Sequence, residues 1–178
     1  MKKLLLYNSK NVSEMRRFKS SYSKSMLLAT CFLLIILLFA ICIIINQMAK
    51  LPIDSLNFVG VGVALCFILV TLLYSFFSQI RYVCVTKENL IIKKMLGKVI
   101  IPRCNILQVQ HKKSLMFDVR LWGISGLFGH IGIFWNKSIG KYTAFVKDGS
   151  SMLEIKTEGK CYVVSCDDYV QMIKLLND

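Results

Sequence analysis

Residues 121–140 read LWGISGLFGHIGIFWNKSIG, with glycine at 123, 126, 129, 132 and 140. Half of the chain's ten glycines fall here, interleaved with Trp122, Phe128, Phe134 and Trp135. From Gly123 to Gly132 they recur every third position, and in a helix each would cost about 1 kcal/mol relative to alanine. The block is too apolar for an ordinary solvent loop and too rich in glycine for a regular core element. The expectation is therefore a shaped excursion that lies against its own domain, the bilayer or a partner. Its candidate contact residues are Trp122, Gly123, Gly126, Phe128, Gly129, Gly132, Phe134 and Trp135.

Working outward, short β-branched or aromatic runs flank the block on both sides. Four precede it, at 80–86 (IRYVCVT), 89–95 (NLIIKKM), 98–102 (KVIIP) and 104–111 (CNILQVQH). Three follow, at 141–147 (KYTAFVK), 151–157 (SMLEIKT) and 160–165 (KCYVVS). Alternation is visible in the sixth, with Leu153, Ile155 and Thr157 opposite Glu154 and Lys156. Asp148-Gly149 and Glu158-Gly159 predict tight hairpins between the last three runs, glycine supplying the positive φ such turns use. Tyr169, Met172, Ile173 and Leu176 then repeat at helical spacing, with Asp167 or Ser165 as the expected cap. That stripe predicts a helix closing one end of a small barrel or two-sheet sandwich, and about one hundred residues suffice for such a core.

Four strands, one long connection, three strands and a final helix resemble a pleckstrin-homology (PH) domain. The chain is similar to bacterial PH-domain membrane proteins, in which a transmembrane hairpin precedes the domain. The match is carried by Tyr82-x-x-x-Thr86 with Leu90-Ile91-Ile92, by Ile101-Pro102 with Ile106 and Val109, and chiefly by Gly126-Leu127-Phe128-Gly129-x-x-Gly132. Gly140-Lys141-Tyr142, Tyr162-Val163-Val164-Ser165 and Asp168 extend it. The resemblance implies a seven-stranded PH-like barrel or sandwich with a C-terminal helix, and no general catalytic activity. Eukaryotic PH domains often bind phosphoinositides through basic residues in the first hairpin loop. Here that loop holds Lys87-Glu88-Asn89, so such binding is not implied.

The N-terminal half reads differently. Residues 26–45 and 56–77 contain no charged side chain. About 20 apolar residues span a hydrocarbon core of roughly 30 Å, so both are expected to be transmembrane helices. A signal peptide fits poorly, because the first apolar run is too long and no small-x-small site follows it. A lipoprotein site also fails, since Cys31 follows Thr30 at the start of the run. Residues 46–55, with Pro52, Lys50 and Asp54, reverse the chain. The expected division is a basic cytoplasmic segment (1–24), a transmembrane hairpin (25–77) and a cytoplasmic PH-like domain (78–178), an α+β membrane protein.

The net charge of +13 supports that division. Residues 1–24 carry seven basic groups against Glu14, and residues 78–178 carry fifteen against eight acidic ones, while the connection is neutral. Positive charge on both outer flanks places both termini in the cytoplasm and predicts a multi-pass protein of the bacterial inner membrane. Topology thereby accounts for much of the basic excess, which argues against nucleic acid as a partner. Arg16, Arg17, Lys93, Lys94, Lys112 and Lys113 are the candidate lipid-facing charges, against the plainer reading of solvated strand edges. Gly60-x-x-x-Ala64 invites close helix packing, first within the hairpin and second in an oligomer.

Signals for catalysis are missing from the sequence. No CxxC pair occurs and neither histidine neighbours a cysteine pair, which argues against zinc. His111 and His130 have no assured acid–base partner, with Asp118 or Cys104 available only by folding. No catalytic, cofactor-binding or metal-binding residue is therefore assigned. The expected function is a membrane-anchored, non-catalytic binding or scaffold module. Its partner would be the membrane surface, another membrane protein or a second copy of the chain. The alternative is a small membrane enzyme or transporter accessory subunit that uses residues 121–140 as a lid or groove.

Overall fold

The computed structural model describes residues 15–52, 55–115 and 117–177. Residues 1–14, with Lys2, Lys3, Lys10 and Glu14 of the basic segment, lie outside the described residues, as does Asp54 of the connection. Strand β1 (Arg16–Lys19) leads into two long helices, α1 (Lys24–Met48) and α2 (Leu56–Phe77). Ser23 caps α1 by accepting from Met26 N at 3.2 Å, and Ser55 caps α2 by accepting from Phe58 N at 3.1 Å. Both helices are long and apolar enough to cross a membrane, and their apolar windows are almost wholly unburied by protein. Phe32, Phe39, Val63 and Phe67 all point outward. A packed helix in water would bury such side chains, at about 25 cal/mol per Å² of apolar surface.

The expected Gly60–Ala64 contact within the hairpin is not where the helices approach. Space around Gly60 is open, whereas a Cβ at Gly62 would lie 3.7 Å from Met48 Cε. Gly60 and Ala64 instead lie on the exposed side of α2.

The remainder forms β2 (Ile80–Val85), β3 (Asn89–Lys94), β4 (Lys98–Pro102), a 3₁₀ turn (Arg103–Asn105), β5 (Ile106–Lys112), β6 (Val119–Ser125), β7 (His130–Asn136), β8 (Gly140–Val146), β9 (Met152–Thr157), β10 (Cys161–Ser165) and helix α3 (Tyr169–Asn177). One sheet has the order β1-β2-β3-β4 and the other β5-β9-β10-β8-β7-β6. Between them lies a core that includes Ile80, Val83, Leu90, Ile92, Val109, Phe145, Leu153 and Val164, closed by Met172 of α3. A second cluster, with Phe134, Tyr142, Ala144, Val146 and Val163, occupies the other face of the larger sheet.

The architecture is two apolar helices followed by a β-rich domain with a C-terminal helix, but seven strands are too few. Ten are present among the described residues. β1 is one addition: RRFK offers a single inward side chain, Phe18, too short a pattern to read as a strand. The other two are β6 and β7, because the glycine block is itself a hairpin and not an excursion from the sheet. The order of the last three strands also differs. β10 inserts between β9 and β8, parallel to β8 and antiparallel to β9. Asp148-Gly149 is therefore no hairpin turn but a loop. The Asp148 carboxylate closes it by accepting from Ser150 N and Ser151 Oγ, each at 3.0 Å. Glu158-Gly159 does join β9 to β10, closed by Thr157 N donating to Lys160 O at 2.9 Å.

Asp168, not Asp167 or Ser165, caps α3, accepting from Gln171 N at 3.2 Å. Asp167 is committed elsewhere, accepting from Ser21 N at 2.8 Å and Ser21 Oγ at 2.7 Å. Asp167 N donates in turn to Lys19 O at 2.9 Å. β1 also pairs antiparallel with β2, from Arg16↔Val85 to Lys19↔Tyr82. The segment before α1 and the segment after α2 thus belong to one sheet, so both flanks of the helix pair lie on the same side of it.

Candidate functional site

The glycine hairpin is built by backbone proximity. Gly123 and Gly132 are register partners in β6 and β7, with φ of +113° and +137°. A Cβ on Gly123 would lie 2.2 Å from Ile131 O, and one on Gly132 would lie 2.2 Å from Trp122 O. No side chain fits between strands this close, and a bulge between Arg120 and Trp122 adds local bending. The alternation that marks ordinary strands is lost here for that reason.

The hairpin tip is fastened to both long helices. Thr30 of α1 is buried, and its Oγ1 accepts from Phe128 N at 3.3 Å. The same hydroxyl lies 3.3 Å from Gly126 O and donates to Met26 O at 2.8 Å. Phe128 meets Phe76 of α2 edge-on, ring centroids 5.9 Å apart. Phe128 has a φ of 59°, a conformation that disfavours a bulky side chain by roughly 1–2 kcal/mol, so these contacts hold it against a local penalty. Thr30→Val keeps the side-chain shape and deletes the hydroxyl. The hydroxyl's links to the tip are worth about 1–2 kcal/mol, so amide exchange at residues 126–129 should accelerate roughly tenfold, measured in detergent or nanodiscs.

Beside this anchor runs a groove of about 360 Å³, lined by Phe67, Val70, Thr71 and Tyr74 of α2 and by Trp122, Gly123 and Ile124 of β6. Its lining is overwhelmingly apolar. Among the described residues β6 is the outermost strand of its sheet, and Trp122 is 71% exposed, with Val119, Leu121 and the nearby Phe117 also outward. On α2 the groove residues continue an exposed stripe through Gly60, Ala64, Phe67, Thr71 and Tyr74. The spacing of four, three, four and three residues is that of a helix-packing seam. At 1.5 Å per residue, the groove covers a stretch roughly 5 to 15 Å inside the end of α2 at Phe77.

The eight candidate contact residues therefore separate. Trp122 and Gly123 line the groove, while Gly126 and Phe128 form the anchored tip. Gly129 and Gly132 are interior backbone positions, where a Cβ would strike Val146 O and Trp122 O. Phe134 is core, not surface: it is 3% exposed and stacks on Tyr142 at 5.9 Å. Trp135 is exposed towards the far end of β7, paired with Val119. Thr30, Phe67 and Tyr74 carry no cue of their own in the sequence, where they look like any other residue of an apolar helix.

The basic candidates separate as well. Lys112 is a correction: it is buried and ion-paired to Asp118 at 2.9 Å, so it faces no lipid. Arg16 and Arg17 are exposed on β1 but pair with Val85 and Cys84, the end of β2 far from α2. Lys113 is exposed on the loop after β5. Lys93 and Lys94 pair with Tyr82 and Ile80, at the end of the sheet where α2 enters.

Asp118 organises the outer face of the larger sheet. It takes hydrogen bonds from Tyr142 Oη and Asn136 Nδ2 as well as the Lys112 ammonium. Burial pushes its carboxyl upward, but the hydrogen bonds from Tyr142, Lys112 and Asn136 and the Lys112 charge outweigh that and hold it below the usual range. Burial, then the bond to Asp118, raises the Tyr142 phenol. A recess of about 400 Å³ beside it also receives Arg120, Ser125 and His130. Ser125 Oγ lies 2.6 Å from His130 Nδ1, a cross-strand partner that the sequence did not offer. Burial lowers the His130 pKa. Asp118, which lines the same recess, is already engaged by three other groups, and the hydroxyl–imidazole pair ties β6 to β7 across the hairpin. His111 stacks on Tyr169 at 4.7 Å. Burial pushes the Cys161 thiol up to about 11 and the Cys166 thiol up to about 12, which keeps both protonated. Among the described residues no three His, Cys, Asp or Glu side chains come together as metal ligands.

Comparison with known proteins bears on the β-rich part. A family profile described as Bacterial PH domain matches residues 81–178. No curated protein and no solved structure matches the chain.

Proposed function

The chain belongs to the bacterial PH-domain family, a family that is typically non-catalytic, and on that premise we propose that it is a membrane-anchored binding module. In this reading α1 and α2 span the bacterial cytoplasmic membrane and the β-rich domain sits on its inner face. The basic residues on the outer flanks support that orientation, and the sheet shared by both flanks supports placing them on one side. The groove between α2 and β6 then takes an apolar membrane-spanning helix of a partner protein.

The observation that carries this reading is the outward seam of α2 running into an open, apolar sheet edge. Gly60 and Ala64 allow a second helix to approach closely, and Phe67, Thr71 and Tyr74 extend the same line. Beside them β6 has no further strand on its outer side among the described residues, and in this reading that edge lies at the level of the acyl chains, which offer no hydrogen bonds. A bare strand edge in hydrocarbon costs several kcal/mol per unsatisfied group. The cover must therefore supply both apolar surface and hydrogen-bonding groups, which a protein does and a lipid tail does not.

A photoreactive amino acid replacing Trp122, and separately Ala64, tests this in native membranes. Both positions should give an adduct with the same protein, while a control at Ile100 on β4 gives none. An adduct of twice the chain's mass identifies a second copy as the occupant; any other mass identifies a different membrane protein. Lipid adducts alone, or unrelated proteins at the two positions, would overturn the reading.

A further inference from the structure

The turn between β3 and β4 carries a second contact, distinct from the groove. It reads Lys93-Lys94-Met95-Leu96-Gly97-Lys98, and no acidic residue occurs between positions 89 and 102. Two backbone hydrogen bonds pin it to the end of α2: Met95 N donates to Gln79 O at 2.8 Å, and Leu96 N donates to Phe77 O at 3.0 Å. Whatever depth the end of α2 occupies, the turn shares it.

Its side chains are arranged against ordinary folding logic. Leu96 is 68% exposed at the tip, with Met95 beside it. Lys93 and Lys98 are direct cross-strand partners, and like charges placed opposite each other destabilise a strand pair. Neither is ion-paired among the described residues. Lys94 leans inward instead, its ammonium 5.9 Å from the Phe145 ring centroid. An exposed leucine and methionine flanked by an unneutralised lysine pair match one environment, the boundary between anionic headgroups and acyl chains. Arg81, exposed at the start of β2, adds charge at the same level.

We propose that the Lys93–Lys98 pair and the Met95–Leu96 tip form an anionic-lipid contact that holds the β-rich domain against the inner leaflet. The proposal shares with the groove reading only the premise that α2 crosses the membrane. Met95 and Leu96 enter the acyl margin, and the two lysines stay at phosphate level on either side. The domain is thereby fixed by two points, its tether to α2 and this turn, so that it cannot swing freely.

The test uses the full chain carrying Leu96→Trp with Trp122→Phe and Trp135→Phe, reconstituted in nanodiscs of phosphatidylcholine alone or with phosphatidylglycerol. Emission from the introduced tryptophan should shift to the blue and be quenched by brominated acyl chains when phosphatidylglycerol is present. Lys93→Gln with Lys98→Gln should lower the docking equilibrium about fivefold per lysine, and high salt should do the same. Met95→Trp serves as the second reporter if Leu96→Trp fails to fold. Emission that is identical in the two lipid mixtures, or a blue shift that survives loss of both lysines, would overturn the proposal. Crosslinking from position 122 is independent of either result, so failure here leaves the groove reading standing, and the converse holds.

Discussion

Gly132→Ala should destroy the glycine hairpin, lowering the domain's stability by about 4 kcal/mol or more. The added methyl would sit 2.2 Å from Trp122 O and 2.7 Å from Gly123 Cα, in a backbone conformation of φ +137°. Both obstacles are backbone atoms, so no side-chain rotation relieves the clash. The strands would have to separate, and with them the link between Phe128 and the two long helices. For a domain near one hundred residues, such a loss lowers the thermal midpoint on the order of 20 °C. Gly149→Ala is the control. Nothing lies within 4 Å of its added Cβ and its φ is not positive, so the midpoint should move little. Thermal unfolding monitored by protease resistance in detergent measures both variants. A Gly132→Ala protein as stable as the parent would mean that β6 and β7 are not paired as described.

Asp118→Ala should cost about 3–5 kcal/mol, because it strands the Lys112 cation and the Tyr142 hydroxyl beneath the loop after β5. Lys112 and Asp118 expose only 7% and 1% of their side chains, so the charge left behind is poorly hydrated. The loss belongs to the broken pair and not to the absence of polarity. Lys112→Met combined with Asp118→Leu should recover much of it, and the double-mutant cycle should show strong coupling. The pH dependence has a fixed sign. The folded state holds the Asp118 carboxyl below the unfolded value of about 3.9, so its contribution is complete above that pH. It is lost as pH falls through the folded-state pKa. Asp118→Asn should remove that part of the acid sensitivity while leaving the neutral-pH profile flat.

The elements visible in the sequence were those whose pattern repeats. Residues 26–45 and 56–77 announce themselves by length and lack of charge, and Met172 to Leu176 by helical spacing. The strands from Ile80 to Lys112 alternate well enough to read. What escaped depended on distant partners. Phe18 is one ring in a basic segment, and only the β2 edge, some sixty residues later, makes a strand of it. Gly123 and Gly132 break alternation because they let two backbones touch, so a paired strand looked like a loop. Lys112 looked like a surface charge until Asp118 was placed opposite it. The β8–β10 pairing is parallel and long-range, and no turn signal encodes it. The groove combined both kinds of information. Trp122 was evident as an exposed-aromatic candidate, but Phe67, Thr71 and Tyr74 became meaningful only once β6 lay beside them.

β1 and β2 are neighbouring strands with residues 20–79 between them, so the helix pair is in chain terms the loop of one long hairpin. In the proposed membrane setting this makes the sheet a parity check on biosynthesis. The ribosome delivers β1 first, but it stays without a mate until two crossings have returned the chain to the starting side. A polypeptide that threads only one helix leaves Phe18 on one side and the β2 edge on the other. That molecule has a sheet one strand short and a bare edge, the kind of lesion that proteases and chaperones detect. In that setting the pairing of β1 with β2 marks a chain whose two flanks have reached the same side.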